Sequence, residues 1–412
     1  MRVVITGVGL VTPVGNTTSA TWNALCAGIS GIEEITSFDT SDLLVTIAGE
    51  VRDLDVSPYM DRKEQQRHDR FVHLGIVALM EALQQSGLDI HLCPDEVGLL
   101  IGSVCGGQNS HHLQHRLLLE KGPQRLRPHV IHQTSADALC GYAAILTGAR
   151  GPNFAPVSGS ASGATAIGEA FEIIRRGDAL AMIAGGVDSC ITPFSVGALA
   201  NARALSRHND DPTKASRPFD AQRDGFVLSE GAGILILENL EFALARQAPI
   251  LGEVVGYGMA NDAYHITTPS PEGTGLQRAM QLALKKARVL PSDVQYIHAH
   301  GTSTPANDRI ETLAIKEVFG EHVSQLAISS TKSMMGHTMG AAGAIGTAIA
   351  LLSIRESIIP PTINLENPDP ACDLDYVPQT ARSASVHLAL SNSCGFGGQN
   401  ACLALHAWET TV

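Results

Sequence analysis

Three stretches of the chain gather nucleophilic, basic and hydrogen-bonding side chains among small residues. In the first, Ser158-Gly159-Ser160-Ala161-Ser162-Gly163 opens a helical pattern in which Ala164, Ile167, Phe171 and Ile174 share one face. Arg175-Arg176-Gly177 closes that pattern with cations and a glycine cap. A small polar side chain at such a junction, here Ser160, is placed to meet an acyl group, because free amides and the helix dipole favour developing negative charge. The same string also suits an ordinary serine cap. From Gly159 to Gly163, serine stands second and fourth, which is not the GxSxG elbow of α/β-hydrolases.

The second stretch is His300-Gly301-Thr302-Ser303-Thr304-Pro305, followed by Asn307-Asp308 and a helical run carrying Glu311. The third is Ser330-Thr331-Lys332-Ser333-Met334-Met335-Gly336-His337. Each histidine follows an apolar run and sits amid Gly, Ser and Thr, where a convergent site would hold neutral imidazoles and a lysine. Either histidine alone also reads as structural; the pair with Lys332 reads as a site. A glycine turn, Cys394-Gly395-Phe396-Gly397-Gly398, exposes backbone amides and needs no functional reading by itself. His111, His112 and His115 lack a third ligand at suitable spacing, so no metal site is read there. Gly7-Val8-Gly9 lacks the rest of a dinucleotide fingerprint.

These segments need a large scaffold. At 412 residues, 44% hydrophobic and 17% charged, the chain can bury a sizeable core and divides into two or three units, or two fused halves. The net charge of −13 argues against a general nucleic-acid or anionic-membrane binder. Eight scattered cysteines with no CxxC pair read as reduced, buried thiols. Met1-Arg2 runs straight into Val3-Val4-Ile5, which reads as a cytoplasmic protein without a leader, and Met339–Ile354 reads as a buried helix too short to span a bilayer.

Val3–Thr6 reads as a strand ending at the turn Gly7-Val8-Gly9. Apolar runs recur at Val97–Ile101, Ala181–Ala184, Ile234–Leu237, Gln295–Ala299, Leu326–Ser329 and Leu388–Ser391. Helical patterns lie between several of them, at Phe71–Ser86, Ser160–Arg176, Thr274–Ala287 and Thr312–Phe319. Continuous apolar strands alternating with helices predict sheets covered on both faces, an α/β layered class. Gly252, Gly256 and Gly258 loosely echo the glycines of Val3–Gly15, a hint of duplication.

In order and spacing, these segments resemble the elongating β-ketoacyl-acyl-carrier-protein synthases of the thiolase superfamily. The resemblance covers nearly the whole chain. It includes Val4-Ile5-Thr6-Gly7-Val8-Gly9, Asp61-Arg62-Lys63, Arg217-Pro218-Phe219-Asp220, Ser229-Glu230-Gly231-Ala232-Gly233, the HGTSTP string, Lys332 with Gly336-His337, and Gly395-Phe396-Gly397-Gly398. It implies a thiolase-like α-β-α-β-α fold of two similar halves, 1–250 and 251–412, forming a homodimer. It also implies His300 and His337 as catalytic donors, Lys332 orienting His337, and Ser160 and Phe396 amides as an oxyanion hole. Thr302 and Thr304 would hold the phosphopantetheine arm of a carrier protein, with no tightly bound cofactor. Carrier proteins are acidic, so Arg62, Lys63, Arg67, Arg70, Arg125, Arg127 and Arg207 form a candidate docking patch.

The chain departs from that family where the acyl group is held. Relatives carry Thr-Ala-Cys at the head of the first helix; here stand Ser158, Gly159 and Ser160. The altered neighbours point to a natural variant. Relatives carry Phe-Gly-Phe in the last glycine turn; here stand Cys394, Gly395 and Phe396. Gly346 replaces a glutamate common near the lysine, leaving the partner of Lys332 open. An alcohol lacks the ready nucleophilicity of a thiolate, while donors for an enolate survive. The expected activity is decarboxylation of malonyl-acyl carrier protein to the acetyl form, as in polyketide β-branching. The alternatives are a serine-dependent condensing enzyme or acyltransferase, and a non-catalytic chain-length partner subunit.

Overall fold

The computed structural model describes residues 1–408. The first half contributes β1 (Val3–Val11), α1 (Arg70–Ser86), β2 (Val97–Gly102), β3 (Asn153–Phe154), α2 (Ser162–Arg176), β4 (Ala181–Asp188) and β5 (Gly231–Asn239). The second half contributes β6 (Gly252–Asn261), α3 (Thr274–Ala287), β7 (Tyr296–His298), α4 (Pro305–Phe319) and β8 (Ala327–Ser329). It closes with α5 (Ala342–Glu356), β9 (Leu388–Cys394) and β10 (Gln399–His406).

Two five-stranded sheets share one design. The first runs β1-β5-β4-β2-β3 and the second β6-β10-β9-β7-β8. In each, the first three strands pair antiparallel and the last three parallel. The sheets also touch edge to edge, since β1 pairs antiparallel with β6 at Val3–Val254, Val4–Glu253 and Ile5–Gly252. Hydrogen bonding therefore traces a single ten-stranded sheet. Helix α1 covers β1 and β5 on one outside face, α3 covers β6 and β10 on the other, and α2 with α5 fills the space between. That is the thiolase-like five-layer arrangement.

The glycine echo has a mechanical cause. A Cβ at Gly9 would lie 1.8 Å from the carbonyl oxygen of Ala78 in α1, and one at Gly7 would lie 2.1 Å from that of Ala82. Gly258 and Gly256 meet Ala279 and Ala283 of α3 in the same way, at 1.9 and 2.2 Å. Each sheet thus admits its outer helix by omitting two side chains. This corrects the expected glycine turn after Thr6: β1 continues through both glycines to Val11.

Between the sheets, Ala342 to Ile354 of α5 are all buried, which explains the apolar character of that stretch. Helices α2 and α5 cross closely at Gly163 and Gly343, each of which would clash with the other helix if it carried a Cβ. The crossing brings the two helix N-termini together. Helix starts differ from expectation: α2 begins at Ser162 rather than Ser160, and α4 begins at Pro305 rather than Thr312. Pro305 suits the first turn, and the Thr304 hydroxyl accepts from the Asn307 amide as the cap.

All eight cysteines are free; Cys140, Cys190, Cys372 and Cys402 are buried and the other four half-buried. Among the described residues no helix is long and apolar enough to cross a membrane.

Candidate active site

The helix crossing sets Ser160, just before α2, against His337, which precedes α5. The Ser160 Oγ lies 2.8 Å from His337 Nε2. His300, two residues past β7, meets His337 edge to face with ring centres 5.4 Å apart. These three side chains line one cavity of about 330 Å³ with Thr302, Thr304 and Phe396. The segments singled out from sequence therefore converge.

Ser160 sits on a tight turn. Gly159 has φ +56°, and a Cβ there would come within 3.2 Å of the Phe396 amide nitrogen. The Ser162 hydroxyl fixes the turn by donating to the Gly159 carbonyl at 2.6 Å and accepting from the Ser158 amide at 2.9 Å. A Cβ on Gly395 would lie 3.2 Å from the Ser160 nitrogen. Gly159 and Gly395 thus let the backbones bearing Ser160 and Phe396 approach closely. Neither amide donates to a backbone acceptor among the described residues.

Both imidazoles are held neutral. Burial, then the charge of Lys332, pushes His300 and His337 well below the ordinary histidine range. The Nδ1 atoms of both rings are buried and without a hydrogen-bond partner among the described residues. His337 is placed by its backbone, whose N–H donates to the Val227 carbonyl at 2.8 Å, and by the edge of Phe226 at 5.2 Å.

Lys332 lies beneath the cavity. Its Nζ donates to the His300 carbonyl at 2.6 Å, and burial pushes its amine down to about 8, against the opposing pull of Glu311. Glu311 on α4 settles the question left by Gly346. Its carboxylate accepts from the amides of His300 and Gly301, both at 2.8 Å, and its charge faces Lys332. Burial raises the pKa of Glu311 in turn. At Gly346, a Cβ would lie 2.7 Å from His298 Nδ1, so the His298 ring fills that space, its Nε2 3.0 Å from the Thr331 hydroxyl.

Thr302 and Thr304 are part of the cavity wall, with their hydroxyls 2.9 Å apart. Arg203, exposed and with φ +57°, lines the same cavity and escaped the sequence reading, which offers no periodic or motif signal for it. The cationic candidates divide. Lys63, Arg67 and Arg127 line one surface concavity, Arg62 and Arg125 are exposed, and Arg207 is exposed nearer the loop after Asn201. Arg70 is a correction: its guanidinium grips the buried Glu230 carboxylate at 2.6–3.1 Å and the Val51 carbonyl at 2.6 Å, so it is not free for a partner. Arg67 also pairs with Glu64 at 2.6 Å.

Comparisons with known proteins place the whole chain in one family. Residues 1–243 match the family "Beta-ketoacyl synthase, N-terminal domain" and residues 251–366 match "Beta-ketoacyl synthase, C-terminal domain". The chain is 52% identical to the 3-oxoacyl-[acyl-carrier-protein] synthase 2 of Synechocystis sp., covering 99% of this chain and 98% of that protein. It is 48% identical to the Staphylococcus aureus (strain MRSA252) protein of the same name, covering 99% of each. Among solved structures, a β-ketoacyl synthase from Burkholderia phymatum superposes with a TM-score of 0.92 at 33% identity, covering 99% of this chain and all of that one. A type II polyketide ketosynthase solved with its acyl-carrier protein superposes with a TM-score of 0.91 at 34% identity, covering 99% of both chains. With both family models matched and relatives 48–52% identical over 99% of its length, this chain belongs to the beta-ketoacyl synthase family.

Proposed function

We propose that the protein decarboxylates malonyl-acyl carrier protein to acetyl-acyl carrier protein, as a unit of polyketide β-branching. The observation that carries this reading is the composition of the cavity: two buried neutral imidazoles beside an alcohol, where the resemblance expects a thiol. The malonyl thioester oxygen would accept from Nε2–H of His300 and of His337. As the bond to the carboxylate breaks and carbon dioxide leaves, its electron pair forms the enolate and charge gathers on that oxygen. Donors already aimed at it lower the barrier. Protonation of the α-carbon by water completes the acetyl thioester.

Lys332 acts through the backbone of His300 and by keeping both rings neutral, hence able to donate without becoming cations. Thr302 and Thr304 would receive the phosphopantetheine arm, and the amides of Ser160 and Phe396 would form a second oxyanion site. The acidic carrier protein would dock on Arg62, Lys63, Arg67, Arg125, Arg127 and Arg207. The solved relative in complex with its carrier protein supports that class of partner. The homodimer of two-half subunits, 1–250 and 251–412, would form through the first half's exposed edge strand β3, where Phe154 is 46% exposed and the neighbouring Val157 and Ile145 are 58 and 82% exposed.

One observation favours a second reading, a serine-dependent condensing enzyme or acyltransferase. The 2.8 Å contact from Ser160 to His337 is that of a nucleophile and its base, and the curated relatives are named as condensing enzymes. Against it, His337 Nδ1 has no acid to orient it, and in serine proteases spoiling that acid costs about 10⁴ in rate. Mass spectrometry of enzyme and malonyl-carrier protein after mixing separates the two. Loss of carbon dioxide from the carrier, with unmodified enzyme and no loss in His300→Ala, is expected. An acyl adduct on Ser160 would refute the decarboxylase reading and support the second.

A further inference from the structure

Phe226 and Met339, both buried, line an apolar part of the cavity. Behind them lies a packed cluster including Cys190, Ile191, Val196 and Leu205. Of that cluster, only Phe226, Met339 and the rim residue Ala204 reach the cavity.

Met339 is held there against its own backbone preference. Its φ is +51°, a region that side chains rarely adopt and that persists only where neighbours enforce it. The enforcement comes from Asp188, fully buried at the end of β4. Its carboxylate accepts from the amide of Gly340, next to Met339, at 2.6 Å. The same carboxylate takes the Ser103 hydroxyl at 2.6 Å and the amides of Val104 and Cys105 at 3.0 and 3.1 Å. One buried carboxyl group therefore ties the Met339 turn to the loops after β2 and β4. Met339 is locked rather than loosely packed.

We propose that Met339 determines specificity by ending the acyl side of the cavity, so that it admits two- or three-carbon acyl groups and excludes longer chains. This rests on reading the cavity as the thioester site. It assigns the substrate class to short acyl and malonyl thioesters, whichever chemistry follows. Truncating Met339 to alanine removes three heavy atoms, about the three carbons by which a hexanoyl group exceeds a three-carbon limit.

The test is calorimetric binding of acetyl- and hexanoyl-pantetheine analogues whose thioester is replaced by an unreactive amide. In the native protein the hexanoyl compound should bind at least about tenfold more weakly than the acetyl compound, the scale of a steric exclusion. Met339→Ala should erase most of that difference, and Met339→Leu should preserve it. Native protein that binds hexanoyl as tightly as acetyl overturns the proposal, even if neither variant folds. A folded Met339→Ala protein that still excludes hexanoyl also overturns it. The malonyl-carrier assay run in parallel keeps the two readings apart. Decarboxylation with free hexanoyl binding sinks only this inference, and size exclusion without decarboxylation sinks only the proposed reaction.

Discussion

Glu311→Gln isolates the group that sequence reading did not assign. The carboxylate accepts the amides of His300 and Gly301 through its two oxygens, both at 2.8 Å. In the glutamine, one oxygen becomes an NH₂ facing an N–H, leaving that amide buried and unpaired at a cost of about 1–3 kcal/mol. The other bond loses its charge assistance, about 1 kcal/mol more. Relief of a buried charge, visible in the raised pKa of Glu311, offsets part of this. The net loss should be about 2–3 kcal/mol in urea unfolding. A second readout follows from Lys332, whose amine sits at about 8 because burial outweighs Glu311. Removing the negative charge lowers that value further, so the alkaline limb of the pH–rate profile, where the ammonium holding the His300 carbonyl is lost, should move to lower pH. A stability loss under about 1 kcal/mol together with an unmoved alkaline limb would refute the assignment of Glu311.

Ser160→Cys should gain a covalent acyl adduct from acyl-carrier protein, because a thiol beside a helix N-terminus ionises readily where the alcohol does not; intact mass reads it. Failure of the introduced thiol to load would mean the acyl side is blocked by more than chemistry. Gly258→Ala places a methyl 1.9 Å from the Ala279 carbonyl oxygen and should cost about 3 kcal/mol or more, measured by thermal or urea unfolding. Arg67→Glu, at the concavity shared with Lys63 and Arg127, should raise the apparent KM for carrier-bound substrate with kcat nearly unchanged. An unchanged KM removes Arg67 from the docking surface.

Much of the site was legible because its residues are local in sequence. His300, His337 and Lys332 follow apolar runs and, like Ser160 at the head of a helical pattern, stand among small residues, and that pattern survives without coordinates. What sequence could not give were pairings across distance. Glu311 has the look of a surface carboxylate on a helix until α4 is packed against the His300 loop. Arg70 resembles a free cation beside Lys63 and Arg67, yet Glu230, 160 residues away, claims it. Arg203 reaches the cavity only because its backbone turns to positive φ after the helix that ends at Asn201. The glycine echo was visible but ambiguous, since only packing reveals that Gly7, Gly9, Gly256 and Gly258 do one job twice.

That duplication bears on how, under the proposed function, a chain with serine at 160 would keep an activity. Each half builds the same sheet, and each sends one buried helix, α2 or α5, toward the shared interface. The first half supplies Ser160 at the head of α2; the second supplies His300, Lys332 and His337 between β7 and α5. On the proposed reading, the acyl-side residue and the enolate donors therefore come from different halves and meet at the 2.8 Å contact from Ser160 to His337. The supports of the second set, Glu311 on α4 and the first half's Val227 behind His337, do not involve the residue at 160. A change at the head of α2 can thus abolish acyl loading while the geometry for decarboxylation stays intact. On the proposed reading, this chain keeps one half-reaction because the fold had already housed the two half-reactions apart.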